Sequence, residues 1–373
     1  MTSASAPLVM LAAGGTGGHL FPAFALAQEL GRRGITVDLV TDMRGDRYGM
    51  DFPARTIHRV HSATPAGRSP VQAAKAFAQL ARGVAASFGI IGRSKPGAVV
   101  GFGGYPSFPP LVAARLRGVP TLLHEQNAVL GRANRALAGY VTAVATSFSE
   151  TRLLTGHALA RARLTGNPVR DAVADWAAEV YPAAAPGGPI SLVVFGGSQG
   201  ARFFSDAVPP AIALLPEAMR SRLFIVQQCR EEDLARVETA YQALGVRAHL
   251  ATFFSNLPEE MARAQLVIGR AGASTVAELT VLGRPAILVP LPHALDNDQL
   301  ANARQLAAAG GAWCLEQKDV TPQSLAATLA DLFEAPGKLS RAASAAKAQG
   351  RPDAVMRLAD LVDELIGRKP RSA

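Results

Sequence analysis

Short apolar runs alternate along this chain with longer stretches in which apolar residues recur every three or four positions. Residues 8–13, 36–40, 55–60, 98–101, 120–124 and 141–146 have strand length, and Ala/Leu-rich helical patterns separate them. The rhythm restarts at 190–195 and continues through 223–227, 248–251, 266–269 and 286–289. Strands covered on both faces read as continuous apolar runs, and their alternation with helices predicts parallel sheets wrapped by helices. Two such series in 373 residues predict an α/β architecture of two Rossmann-like domains facing each other across a cleft. The break near Gly166-Asn167-Pro168-Val169-Arg170, with an Ala/Pro/Gly-rich loop at 181–189, puts the domains at 1–164 and 165–349. Leu358, Leu361, Val362 and Leu365 share one face of a last helix within about 350–373. That helix is expected to cross back and pack on the N-terminal domain.

Residues 71–92 form a distinct helical pattern. Phe77, Leu80, Ala81, Val84, Phe88 and Ile91 fall in one narrow stripe, with Lys75, Arg82 and Arg93 opposite. Two readings stand: a domain helix with a solvated basic face, or a helix lying on an anionic bilayer surface. Gly83 and Gly89 weaken it, so it is expected to rely on tertiary packing.

Charge sharpens the second reading. The net charge is +9, and no carboxylate occurs among the 73 residues between Asp51 and Glu125, a span that carries nine Lys/Arg. A basic face suits nucleic acid, an anionic membrane or a phosphorylated ligand. With 6% aromatic residues and no nucleic-acid module, nucleic acid is not expected. The N-terminus lacks the basic flank of a signal peptide, and the uncharged stretch 96–114 holds four prolines and four glycines, which disqualifies it as a span. Cys229 and Cys314 match no metal or disulfide spacing, and no cofactor is expected.

Functional residues should lie just beyond the strand C-termini. Gly14-Gly15-Thr16-Gly17-Gly18-His19 follows the first strand, and Pro22 is expected to open the next helix at its first position. Gly196-Gly197-Ser198-Gln199-Gly200-Ala201-Arg202 echoes it in the second half. Such loops let backbone amides crowd against an anion at a helix N-terminus. Gly101-Phe102-Gly103-Gly104-Tyr105 and His124-Glu125-Gln126-Asn127 follow two further strands. Leu20 stands where a dinucleotide fingerprint needs its third glycine, and no P-loop occurs, which disfavours NAD and P-loop chemistry. His19, at a helix start, suits a base, a phosphate ligand or a cap. In Arg270-Ala271-Gly272-Ala273-Ser274-Thr275-Val276-Ala277-Glu278, the Thr275-x-x-Glu278 spacing fits a capping box, and equally a diphosphate site whose glutamate takes ribose hydroxyls. Asp296-Asn297-Asp298 resembles a metal-binding triplet, but two Gly loops with helix dipoles serve a pyrophosphate without one, and no metal site is expected.

Taken in order, Gly14–His19, Gly101–Tyr105, His124–Asn127, Gly166–Arg170, Gly196–Arg202, Gly272–Glu278, and Pro290 with Gln299-Leu300-Ala301-Asn302-Ala303 resemble the MurG family of bacterial peptidoglycan N-acetylglucosaminyltransferases. The resemblance runs over nearly the whole chain and implies a GT-B fold. It also implies an inverting, metal-independent transfer of N-acetylglucosamine from UDP-N-acetylglucosamine to the C4 hydroxyl of the N-acetylmuramoyl-pentapeptide of undecaprenyl-pyrophosphate-linked lipid I, giving lipid II. Carried over residue by residue, Thr16, Gly17, Gly18, Asn127, Arg170, Ser198, Phe254, Ala273, Ser274, Thr275, Val276, Ala277, Glu278 and Gln299 bind the donor. Gly14, Gly15, Gly103, Gly104 and Tyr105 meet the acceptor diphosphate, and His19 and Glu125 are the two candidates for the base. The implied setting is the cytoplasmic face of the plasma membrane, held peripherally at an anionic surface, with other cell-wall synthesis proteins open as partners. The alternatives are a UDP-N-acetylglucosamine 2-epimerase, which has no use for a basic membrane-facing half, and a non-catalytic sugar-nucleotide sensor.

Overall fold

The computed structural model describes residues 6–14, 17–42, 51–63, 70–292 and 294–368, with the backbone alone at 70, 198–201 and 295. The chain divides into two compact units, Met1–Arg170 with Pro352–Ala373, and Asp171–Arg351. Each is built on one sheet whose paired strands all run parallel.

In the first unit the strands are β1 (Leu8–Ala12), β2 (Thr36–Thr41), β3 (Thr56–Arg59), β4 (Ala98–Gly101), β5 (Thr121–Glu125), β6 (Ala143–Thr146) and β7 (Ala162–Leu164). Their order is β3-β2-β1-β4-β5-β6-β7. The side-chain period of two splits β1 between two cores: Val9 and Leu11 pack with Leu26, Leu30 and Val37 on one face, Met10 with Ile91, Leu111 and Leu123 on the other. This explains why the strand reads as an unbroken apolar run. The strand order reverses between β1 and β4, so the loops after these two strands diverge and leave room for a ligand.

The second unit carries β8 (Ile190–Phe195), β9 (Leu223–Gln228), β10 (Arg247–Ala251), β11 (Leu266–Gly269), β12 (Ala286–Leu288) and β13 (Ala312–Cys314), in the order β10-β9-β8-β11-β12-β13. Leu192, Val194, Ile225, Ile268 and Ile287 form one face of its core with Phe204, Val208 and Leu329. Its reversal point lies between β8 and β11. Each unit is therefore a Rossmann-like domain.

Two edge strands, β7 and β13, carry no sequence signal because each has only three residues and is incompletely buried. The helix after β1 also departs from expectation. It spans Gly17–Arg32, so Pro22 lies inside it rather than at its first position. The glycine loop itself winds into the helix, and Pro22 leaves the Gly18 carbonyl without its i+4 donor, a loss tolerated near a helix start.

The last helix, Ala354–Leu365, belongs to the first unit, where Leu358, Leu361 and Val362 join the core beside Leu20 and Leu30. Buried Arg33 fixes it there: Nε donates to Glu29 at 2.7 Å, and Nη1 donates to Asp360 at 2.6 Å and Asp363 at 2.8 Å. A cation so enclosed is tolerated because carboxylates surround it, and removing the guanidinium would deprive the buried Asp363 carboxylate of its 2.8 Å partner.

The Pro70–Ser94 helix splits the predicted stripe. Leu80 and Ile91 turn inward with Ala76, Gly83 and Ser87, while Phe77 stays 75% exposed and Val71 and Phe88 also face out. The cause is Gly83: a Cβ there would lie 2.1 Å from the His61 carbonyl oxygen and 3.0 Å from Pro109. Close approach on the glycine side rotates the helix about its axis, and half of the apolar stripe is left without protein cover. Among the described residues no helix is long and apolar enough to cross a membrane.

Candidate functional site

The loops after β1, β4 and β5 meet around His19. Its half-buried ring lies against Gly103 and Gly104, both with positive φ (86° and 69°). A Cβ on Gly104 would come 3.4 Å from His19 Nε2, and one on Gly103 would come 3.3 Å from Cε1. These two glycines thus make room for the imidazole as well as for the backbone turn. Gly104 then begins a 3-10 turn, its carbonyl accepting the Ser107 N–H at 3.2 Å and the Ser107 hydroxyl at 2.8 Å, with Tyr105 half-buried beside it. Gly14 is packed against Thr41 and Pro106; a Cβ there would meet Thr41 Oγ1 at 2.9 Å. Gly17 lies against the Phe21 ring. Gly15 and Thr16 lie outside the described residues.

His19 Nδ1 lies in hydrogen-bond contact with Gln126 Oε1 at 2.9 Å. The Gln126 amide nitrogen donates to His124 Nδ1 and to the His124 carbonyl, both at 2.9 Å. His124 Nε2–H in turn donates to the Gly166 carbonyl at 3.0 Å. His124 and Gln126 are buried, and burial pushes the His124 pKa down to about 4 against the opposing pull of the Gly166 bond.

Glu125 is buried beside this chain of bonds. One carboxylate oxygen accepts the Asn127 backbone N–H at 2.9 Å and its side-chain amide at 3.3 Å. The other accepts the Gly131 N–H at 2.9 Å and the Asn134 amide at 2.8 Å. Burial raises the Glu125 pKa, and donors on Gly131, Asn127 and Asn134 pull it back. A carboxylate offers about four lone-pair sites, and here all four are taken. Glu125 therefore clamps the loop that follows β5 and has no lone pair left for an incoming hydroxyl.

In the second unit the anion-binding features are at helix starts. The helix Ala273–Leu282 has Gly272 as its N-cap, with no side chain capping it. Thr275 is the third residue of the helix, so Thr275 and Glu278 form no capping box, and the first-turn N–H groups stay open to an anion. Ser274 Oγ is buried at this end with no hydrogen-bond partner, whereas Ala273, Val276 and Glu278 are buried and Ala277 is half-buried. Asn302 braces the turn, donating to the Ala271 carbonyl at 3.1 Å. Arg270, just ahead of it, is buried and donates to the Val289 carbonyl at 3.1 Å, the Pro290 carbonyl at 3.3 Å and Gln317 Oε1 at 2.8 Å. These partners are neutral, and burial brings its pKa down to about 10. The helix Gly197–Ala213 likewise starts on glycine, Gly196, without a side-chain cap; the Ser198 side chain lies outside the described residues.

The remaining predicted residues are more scattered. Arg170 stacks over Phe21 at 4.7 Å within the first unit. Phe254 is buried edge-on against His249, with centroids 5.2 Å apart. Gln299 Oε1 accepts the Leu291 N–H at 3.0 Å, which leaves its amide nitrogen to donate. Asp296 and Asn297 adopt left-handed backbone, and the Asp298 carboxylate accepts the Gln299 N–H. Among the described residues no cluster of three His, Cys, Asp or Glu side chains suits a metal.

Sequence reasoning quoted His124, Gln126 and Arg270 within their motifs without giving them a role, and it did not reach Asn134. His124 and Gln126 had a legible signal, since positions i and i+2 at a strand end share one side of the sheet.

Residues 9–146 match the glycosyltransferase family 28 N-terminal domain, and residues 191–358 match the family 28 C-terminal domain. A relative from Mesorhizobium japonicum is named UDP-N-acetylglucosamine–N-acetylmuramyl-(pentapeptide) pyrophosphoryl-undecaprenol N-acetylglucosamine transferase. It is 54% identical over 362 residues, covering 97% of this chain and 96% of its own. The crystal structure of Acinetobacter baumannii MurG superposes with a TM-score of 0.79 at 29% identity, over 96% of this chain and 99% of that one. A UDP-GlcNAc 2-epimerase from Neisseria meningitidis, bound to UDP-GlcNAc, superposes with a TM-score of 0.65 over 96% of this chain and 100% of that one. At 14% identity that last likeness is one of fold alone.

Proposed function

The chain belongs to glycosyltransferase family 28, and from that premise we propose that it transfers N-acetylglucosamine from UDP-N-acetylglucosamine to the C4 hydroxyl of the N-acetylmuramoyl-pentapeptide of lipid I, forming lipid II. The observation that carries this reading is the 54% identity, over nearly the full length of both chains, to a relative named for that transfer. The epimerase alternative rests on a fold-level likeness only.

The chemistry follows from the two sites. His19 Nε2 takes the proton of the acceptor C4 hydroxyl as the oxygen attacks the donor's anomeric carbon. The bond from that carbon to the diphosphate oxygen breaks, its electron pair leaves with UDP, and attack opposite the leaving group inverts the centre. The charge that develops on UDP is met by the open N–H groups of the Ala273–Leu282 helix, by Ser274 and by the neighbouring Arg270 cation, groups already fixed before the reaction begins. Glu278 is assigned to the ribose, Arg170, Ser198 and Phe254 to the nucleotide, and Asn127 and Gln299 to the transferred sugar. Thr16, Gly17 and Gly18 also serve the donor, and Gly14, Gly15, Gly103, Gly104 and Tyr105 the acceptor diphosphate.

The lipid-linked acceptor calls for a membrane surface. Val71, Phe77, Phe88 and Leu116 are exposed, and Lys75, Arg82, Arg93, Arg115 and Arg117 lie in the same carboxylate-free span. Arg117 covers the Phe88 ring at 3.8 Å. Exposed apolar side chains in a region that is rich in cations and free of carboxylates suit peripheral attachment to an anionic leaflet, each cation near the surface adding about 1 kcal/mol. The enzyme is assigned to the cytoplasmic face of the plasma membrane.

UDP release is the test. Release from UDP-N-acetylglucosamine that needs a lipid I analogue and survives EDTA supports the metal-independent transferase. Turnover of the sugar nucleotide without acceptor would favour the isomerase instead.

A further inference from the structure

We propose that Gln126 and His124 are positioning residues that fix the tautomer of His19, so that its Nε2 lone pair is the one presented to the acceptor. The proposal rests on the reading of His19 as the base.

The Gly166 carbonyl can only accept, so His124 carries its proton on Nε2 and offers a lone pair at Nδ1. Gln126 stands with one end toward two acceptors of the same residue, His124 Nδ1 and the His124 carbonyl, each 2.9 Å away. Only the NH2 end satisfies both; the reverse orientation would set the amide oxygen against two lone pairs. The amide is thereby locked with Oε1 toward His19, and an oxygen there demands a proton on His19 Nδ1. Nε2 is left unprotonated on the ring edge beside Gly104. Each link is forced by the one before it, starting from a backbone carbonyl that cannot change its role.

Burial makes the lock firm. His124 and Gln126 are both almost wholly buried, so neither finds water as a substitute partner, and burial opposes protonation of His124, which would require Gln126 to turn around. Glu125 reinforces the same loop by holding Asn127 and Gly131 on either side of it. The opposite tautomer of His19 would direct an N–H at the hydroxyl it has to deprotonate.

Histidine-selective 15N labelling with long-range 1H–15N correlation reports which ring nitrogen carries the proton, and the His19→Asn spectrum assigns the His19 signals. At a pH where the rings are neutral, the wild-type enzyme is expected to show the proton on Nδ1 of His19 and on Nε2 of His124. Gln126→Leu is expected to give a mixture of His19 tautomers and to lower kcat roughly 10- to 100-fold, with KM for the donor within about twofold. Gln126→Glu keeps an acceptor against His19 Nδ1 but sets its second oxygen against His124 Nδ1, so it is expected to hold the His19 proton on Nδ1 while drawing the His124 proton from Nε2 to Nδ1, a pair of signals that a purely structural role would not produce. A wild-type proton on His19 Nε2 overturns the proposal, as does a Gln126→Leu enzyme with unchanged tautomer and kcat. If Gln126→Leu does not fold, the wild-type spectrum decides. Full activity in His19→Ala would instead remove the base assignment, a result separate from anything the spectra report.

Discussion

The loop systems after β1 and after β11 begin from the same sequence plan, an apolar strand, a glycine turn and a helix, and arrive at different chemistry. After β1, the neighbours β4 and β5 bring in Gly103, Gly104, Gln126 and His124, and the result is one imidazole held by a chain of neutral hydrogen bonds. After β11, the neighbours contribute carbonyls and an amide that hold a buried guanidinium beside an uncapped helix start. On the reading proposed above, the first site holds a proton on a chosen nitrogen and the second holds negative charge. A glycine loop by itself signals neither; the groups delivered by adjacent strands decide.

If that contrast is right, the largest effect belongs to the base. His19→Ala is expected to lower kcat about 10²- to 10⁴-fold while leaving UDP affinity within a few-fold, measured by UDP release and by calorimetry. A similar loss of UDP affinity would show that the β1 loop works mainly as an anion site.

Next comes the buried imidazole. With the His124 pKa lowered to about 4 from 6.5, the unfolded chain binds a proton between those values that the folded chain refuses. Stability therefore falls as pH drops from 6.5 toward 4, by about 3 kcal/mol from this residue. Urea unfolding of the wild-type protein and His124→Gln across that window checks the sign: the variant should lack this component of the slope.

A smaller effect is expected in the second unit. Arg270→Met should weaken UDP binding about 10- to 100-fold, and Ser274→Ala about fivefold, whereas uridine, which lacks the diphosphate, should bind both as it binds the wild type. Equal losses for UDP and uridine would mean that the two residues shape the pocket and do not meet charge. The smallest effect falls outside both sites. Phe77→Ser should weaken sedimentation with anionic vesicles about tenfold and leave soluble-donor binding unchanged.

Much of this organisation was legible in the sequence, and the failures have physical causes. The long apolar strands and both glycine loops stood out because a fully covered parallel strand leaves no room for polar positions. β7 and β13 did not, since three residues at an open sheet edge carry no period. The capping box at Thr275 failed because the helix starts earlier, at Gly272, and local spacing does not say which residue leaves helical backbone first. Glu125 drew attention as one of two candidate bases, with His19, yet only the fold shows four N–H donors converging on it.

The sequence alone determined the α/β class, the repeated strand–glycine–helix plan and the family, because hydrophobic period and glycine placement are local properties that any fold of this chain must respect. Tertiary structure decided the rest. It set which half of the 70–94 stripe is covered, since that depends on Gly83 meeting His61. It also filled the lone pairs of Glu125, since hydrogen-bond satisfaction is shared among residues far apart in the chain. The orientation of one buried amide, Gln126, is likewise readable only when Gly166, His124 and His19 are seen together.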